Sequence, residues 1–395
     1  MVAGETPATL TEALLAGPRG RRLLLEYARL ADERVRVEHT QDSFCSGVFY
    51  AAHQLDAGSG VACVSYGPGA DQPLPRVAPE HVARLLADVP LPDVTKKDLH
   101  TALAATTDSA RYWQEPEGED VLAMTDPMLP ELRRVAEHLS ASEHARWWTT
   151  GVVRDEQWSL RWGKRHDSVP SVGKVLTTWL DRVVAEEKRA ARERPTDPTA
   201  AYSGVWWSSP LGVPCSTRTL DDGSPASLWF VEDSAGENRA WARRQIIPAD
   251  IDTFEIDGAA AWAHLCQRFP LEVTAQKRHD WYRTTGRDGR WVLPDWHAVA
   301  EEYGGVHLTV AGYLAAAGIA IDVDGDAASV IAGWAPDEAF WLTGDVRADG
   351  DIVEWARDDI NETWSGIRSG AGGRSANSGR SCKITKSAPD PGSSP

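Results

Sequence analysis

The sequence predicts an α+β protein: a helical N-terminal domain followed by a mixed, mainly antiparallel β-sheet domain with two or more helices. Two observations carry this. Apolar residues recur at helical spacing up to about residue 194, and short apolar runs separated by turn residues take over after Ala200. A third observation is aromatic. Eighteen tryptophans occur in 395 residues, none before Trp113 and the last at Trp364. Indole carries a wide apolar face and one N–H donor, so this density means an aromatic-rich core or flat ligands held by stacking.

In chain order, Leu23, Leu24, Tyr27, Leu30 and Ala31 fall on one helical face. Residues 48–50 and 61–66, with Gly58-Ser59-Gly60 between them, suggest a hairpin. Thr95 and Asp98 form a capping-box-like start for a helix carrying Leu99, Leu103, Thr106, Ala110 and Trp113. Leu132, Val135, Ala136 and Leu139 mark another. The strongest helix starts at Ser171, where Val172, Val175, Leu176, Trp179, Leu180 and Val183 form an apolar stripe. Its far end, 186–194, is charged all round, and Pro195 and Pro198 stop it. That exit sets the expected domain boundary: a mainly helical domain over 1–195 and a Trp/Arg-rich α+β domain over 196–365.

Beyond it, strands are expected at 205–208, 227–232, 239–243 and Thr253–Ile256, with turns at Asp221-Asp222-Gly223 and Asp288-Gly289. Two helices interrupt them, one with Trp262, Leu265, Cys266 and Phe269, the other with Trp296, Val299 and Tyr303 after an Asp295 cap. Val306, Leu308 and Val310 alternate with His307 and Thr309, as on a strand. A last hairpin joins 319–323 to 329–331 through Asp324-Gly325. From Gly366 the chain is basic and rich in Gly and Ser, the composition of a disordered tail over 366–395. No repeat of fixed period is present.

The net charge of −17 disfavours bulk binding to duplex nucleic acid, which needs clustered positive charge. Cys45, Cys63, Cys215, Cys266 and Cys382 are odd in number and lack metal-ligand spacing, so neither a zinc knuckle nor a disulfide framework is implied. With no signal-peptide pattern and no membrane-length apolar run, the expected location is cytoplasmic, with no membrane partner. A Gly-rich phosphate loop, a nucleophile elbow and a zincin motif are all missing, and no cofactor is indicated.

Several local patterns have a chemical and a plainer reading. Ser171 and Lys174 match S-x-x-K, yet Ser171 sits at an N-cap and Lys174 opposite the apolar stripe. Asp322, Asp324 and Asp326 resemble a calcium loop, but the glycine is misplaced and a hairpin turn fits better. Arg19, Arg21 and Arg22 crowd a helix start, where they either hold an anion or pair with acids on another element. Asp295, His297, Glu301 and His307 could be drawn as a metal site, with only His297 and Glu301 sharing local helical spacing.

The densest run is Arg278, His279, Asp280, Trp281, Tyr282 and Arg283, followed by Arg287, Arg290 and Trp291. A histidine beside carboxylates can carry protons, and arginine with tryptophan suits an anionic aromatic ligand. The plainer reading is a two-stranded ribbon packed on the core. The functional expectation is a cytoplasmic enzyme, with a transferase as the candidate reaction class, acting on a small anionic aromatic, nucleotide-like substrate. His279, Asp280 and His307 are the catalytic candidates. Arg218, Arg278, Arg283, Trp281 and Trp291 are the binding candidates. The alternative is a non-catalytic module that binds a protein partner through an exposed tryptophan-rich surface. Trp147 and Trp148 read either as domain-interface core or as part of a functional surface. Single-stranded nucleic acid suits tryptophan with arginine but conflicts with the net charge.

Overall fold

A computed structural model describes residues 9–35, 43–56, 74–163, 171–358 and 363–367. The N-terminal part is helical: α1 (Leu10–Ala16), α2 (Pro18–Val35), α3 (Phe44–Leu55), α4 (Pro79–Ala87), α5 (Lys96–Asp108), α6 (Gly118–Met124) and α7 (Leu129–Ser140). A 3-10 segment (Glu143–Thr149), strand β1 (Gln157–Arg161) and the long α8 (Val172–Glu193) follow. Helix α5 opens as its sequence dictates, Thr95 Oγ1 accepting from the Asp98 N–H at 3.2 Å. Around α2, Leu23, Leu24, Tyr27, Ala28 and Ala31 are all buried.

The later part is sheet-rich and mainly antiparallel. Its elements are β2 (Cys215–Ser216), β3 (Arg239–Ile246), β4 (Thr253–Ile256), α9 (Ala259–Arg268), β5 (Pro270–Glu272), α10 (Thr274–Thr285), β6 (Arg290–Pro294), α11 (Trp296–Val299), β7 (Gly305–Leu308), α12 (Val310–Ala316), β8 (Ile321–Asp322), β9 (Ala327–Ser329), β10 (Ala339–Trp341), β11 (Arg347–Asp358) and β12 (Thr363–Ile367). Among the described residues they form three four-stranded sheets, ordered β1-β3-β11-β12, β2-β10-β7-β4 and β5-β6-β9-β8. The pairs β4–β7 and β6–β9 are parallel; the others are antiparallel. The fold is thus α+β, helical first and sheet-rich later.

The main hydrophobic core runs from Leu14 to Leu342, and α12 packs on both α1 and α2. Trp148, Trp262, Trp281, Trp291, Trp296, Trp334 and Trp341 are completely buried, several edge to face. A second cluster, with Trp158, Trp355 and Trp364, covers the β1-β3-β11-β12 sheet. No helix among the described residues is long and apolar enough to cross a membrane.

Several expected elements differ. Residues 48–50 lie in α3 rather than a hairpin, because Ser43 caps a helix there; residues 57–66 lie outside the described set. Residues 227–232 hold only a short 3-10 turn. Residues 205–208 form no strand, since side chains take their carbonyls, as described below. The run 278–283 is helical, part of α10, instead of a ribbon. His307 lies on β7, but Thr309 caps α12, its Oγ1 accepting from Gly312 N at 2.9 Å. Trp113 lies beyond the end of α5 and is 36% exposed, its Nε1 bonded to Asp233 Oδ2 at 3.0 Å. Gly366 and Ile367 belong to β12; residues 368–395 lie outside the described set.

Candidate functional site

Helix α10 gathers most of the residues singled out by sequence, and it turns them toward one loop. Asp280, 1% exposed, accepts from Ser203 Oγ and from the Gly204 N–H, both at 2.8 Å, and from Arg283 at 2.5 Å. Arg283 also donates to Tyr202 O at 2.8 Å and to Trp113 O at 3.0 Å. Trp281 Nε1 donates to Trp206 O at 3.0 Å. Lys277, one turn earlier and equally buried, donates to Val205 O at 2.6 Å and to Trp207 O at 2.7 Å. Arg278 reaches Thr196 O at 3.2 Å. These side chains replace a β-ladder for residues 202–207.

His279 is 1% exposed, its ring tilted against Tyr202 with centroids 5.3 Å apart. Both ring nitrogens lack a hydrogen-bond partner among the described residues. Burial, then the charges of Arg278 and Arg194, push its pKa down. Trp281 and Trp291 are fully buried and meet edge to face, centroids 5.2 Å apart, so each is core.

The loop held by α10 forms one wall of a cavity of about 210 Å³. Trp162, Trp206, Trp207 and Trp334 line it with Glu232 and Glu338. Trp206 and Trp207 have ring centroids 4.9 Å apart and planes tilted by 32°. Gly333 lets Trp207 come close: its φ is +68°, and a Cβ there would lie 1.9 Å from Trp207 Cδ1.

The two carboxyls hang from adjacent amides. Trp334 N donates to Glu232 Oε2 at 3.1 Å, and Ala335 N donates to Glu338 Oε2 at 3.3 Å. Given the spacing of successive backbone nitrogens, these oxygens lie within about 10 Å of each other. Burial raises the Glu232 pKa to about 8, against the opposing pull of Tyr313 and the Trp334 and Gly333 amides. Burial likewise raises Glu338 to about 7, partly offset by Cys215 and the Ala335 amide. The cavity lining therefore carries one carboxyl that keeps its proton and another balanced between its two forms near neutral pH. A larger hollow of about 740 Å³ lies beside Asp250, Asp252, Glu302 and Asp345, but those acids are all exposed. Size alone does not select a site.

Arg218 and His307 meet elsewhere, through Asp337. Arg218 Nε donates to Asp337 Oδ1 at 2.7 Å, while His307 Nε2 lies 3.4 Å from the same oxygen. Asp337 sits at φ +64°, a costly backbone for a non-glycine residue, fixed here by its two cationic partners. The Arg218 guanidinium covers the Trp147 ring at 4.7 Å. None of His279, Asp280, His307, Arg218, Arg278 or Arg283 lines the tryptophan cavity.

Arg19, Arg21 and Arg22 have protein partners. Arg19 pairs with Asp120 and donates to Thr106 O and Ser109 Oγ at 3.1 and 3.0 Å. Arg22 reaches Glu26 at 2.7 Å and Asp120 at 3.1 Å. Arg21 donates to Leu15 O at 2.8 Å. Ser171 and Lys174 are both exposed. Asp322 and Asp324 accept from the amides of Gly325, Asp326 and Ala327 in the β8–β9 turn. Asp295 caps α11. No group of three or more His, Cys, Asp or Glu side chains that could hold a metal ion occurs among the described residues.

Sequence reasoning missed Glu232, Glu338 and Lys277, and placed Trp206 and Trp207 on a strand. The available signals were a Trp-Trp pair in a polar stretch and glutamates at the edges of aromatic runs, Phe230-Val231-Glu232 and Glu338-Ala339-Phe340-Trp341. No family model, curated protein or solved structure matches this chain.

Proposed function

We propose that the protein is an acid–base enzyme that takes an uncharged, ring-shaped substrate between the tryptophans of this cavity. Glu232 is the proton donor and Glu338 the proton acceptor. The observation that carries the reading is the pair of partly buried carboxyls, with raised pKa values, on the adjacent amides of Trp334 and Ala335, in the lining of one open, tryptophan-walled cavity. Indole faces supply stacking area for a ring, and a cavity of about 210 Å³ suits one ring rather than an extended ligand. An anionic, nucleotide-like substrate fits less well. It would meet two carboxyls in the cavity, and Arg278 and Arg283 are engaged by backbone carbonyls and Asp280.

Intrinsic fluorescence titrated with methyl glucoside, tetramethylammonium and adenosine monophosphate tests this. A response to methyl glucoside that is lost in Trp207→Ala supports the reading. A response to adenosine monophosphate alone returns the anionic substrate and overturns it. Silence toward all three favours the interaction module, for which Val205, Trp207 and Leu211, 37–43% exposed on neighbouring stretches, are the surface.

A further inference from the structure

The tryptophan wall has no ladder of its own, so its position depends on what grips its carbonyls. Lys277 grips two of them, flanking the Trp206–Trp207 step. We infer that Lys277 is a positioning residue that couples one proton to the placement of this wall: a single amine sealed from solvent ties Val205 O to Trp207 O and so sets the pose of the two indoles.

The surroundings of the amine make the coupling specific. The charged groups around it are Asp280 on its own helix, Glu187 on α8 and Arg194 at the end of α8. Each has other partners: Asp280 holds Ser203, Gly204 and Arg283; Glu187 accepts from the Ala275 and Gln276 amides; Arg194 donates to Gln276 O. The amine itself has two carbonyls and the Trp281 face, 5.6 Å from its nitrogen. That is thin solvation for an ammonium, and burial brings the lysine down to about 7. When charged, Lys277 makes two charge-assisted bonds, roughly twice as strong as neutral ones. When neutral, it keeps two N–H donors for these carbonyls, but both bonds lose their charge assistance. The wall is held tighter below that pH and more loosely above it.

The inference concerns regulation of the proposed binding site but is read in the free protein, so its failure is separable from failure of the ligand reading. The measurement is fluorine NMR of protein labelled with 5-fluorotryptophan, with the Trp207 resonance assigned through Trp207→Phe. In a Glu232→Gln/Glu338→Gln background, which removes the two titrating carboxyls of the same cavity, this resonance shifts with pH, with a midpoint near 7. Adding Lys277→Gln abolishes the titration. If that variant does not fold, Lys277→Arg in the same background decides, because it keeps the charge but does not titrate in this range. A flat profile in the Lys277 parent overturns the inference. So does a titration that survives in Lys277→Gln or Lys277→Arg.

Discussion

His307 and Glu255 face each other across the parallel β4–β7 pair, imidazole Nδ1 to carboxylate Oε2 at 2.5 Å. Glu255 is held in turn by the Val152 N–H at 2.9 Å, and the other side of the imidazole meets Asp337. Burial opposes the cation, but Asp337 and Glu255 together overcome it and raise His307 to about 9. This ties β4, β7 and the turn before β10 into one charged network closed by Arg218.

The first prediction follows from the sign of that shift. The folded pKa lies above the unfolded value of 6.5, so the stabilisation is complete below about 6.5 and is lost as pH rises through about 9. Urea denaturation of wild type and His307→Gln in parallel should show the stability difference between them shrinking by roughly 2–3 kcal/mol over that interval, the other titrating groups being common to both. His307→Gln should be the less stable of the two at pH 6. A difference that stays constant with pH would place its source elsewhere.

Glu232 works in the opposite sense. Its folded pKa, about 8, stands above the ordinary 4.5, so the folded state keeps a proton that the unfolded chain releases. This term therefore erodes stability as pH rises from about 4.5 through about 8. Glu232→Gln keeps an oxygen acceptor for the Trp334 amide and removes the titration. The variant should be more stable than wild type at pH 8 and should lose the proton-donor function proposed above. Loss of stability at pH 8 would show that the ionised carboxylate is held favourably after all.

The two halves were legible to different degrees because their signals differ in range. Helical stripes are local, so α2, α5, α7 and α8 could be read from spacing alone, with Thr95 and Ser171 at the expected caps. The 202–207 loop could not. Its backbone partners are Lys277, Asp280, Trp281 and Arg283, seventy or more residues later, and nothing within the loop announces them. The run 278–283 reads in sequence as the densest functional-looking stretch, and its polar partners in the fold are the protein's own carbonyls and carboxylates. Residue type alone does not distinguish that from a ligand site.

The arginines of α2 give a third prediction. Asp120, 3% exposed, serves both Arg19 and Arg22, which are also buried. Asp120→Ala leaves two guanidinium ions short of a partner in a desolvated setting, and such a break costs about 3–5 kcal/mol. Chemical denaturation should show a loss of that size with no change in m-value. A loss below about 1 kcal/mol would mean that both arginines reach solvent at little cost.

Gly333→Ala isolates the wall from the fold. The added methyl meets Trp207 Cδ1 at 1.9 Å, and the φ of +68° strains any residue with a Cβ by about 1–2 kcal/mol. Trp207 is 37% exposed, so its indole can swing toward solvent and relieve the contact without dismantling the core. Trp334, by contrast, is completely buried and fixed by its own Nε1 bond to Glu338 O at 2.9 Å. The expected outcome is a modest loss of stability, near the strain term alone, together with a displaced Trp207 fluorine resonance and loss of any methyl glucoside response. A loss well above that strain, with the Trp207 resonance unmoved, would show that the backbone had yielded instead of the indole. The wall would then be rigid, and Lys277 could not regulate it.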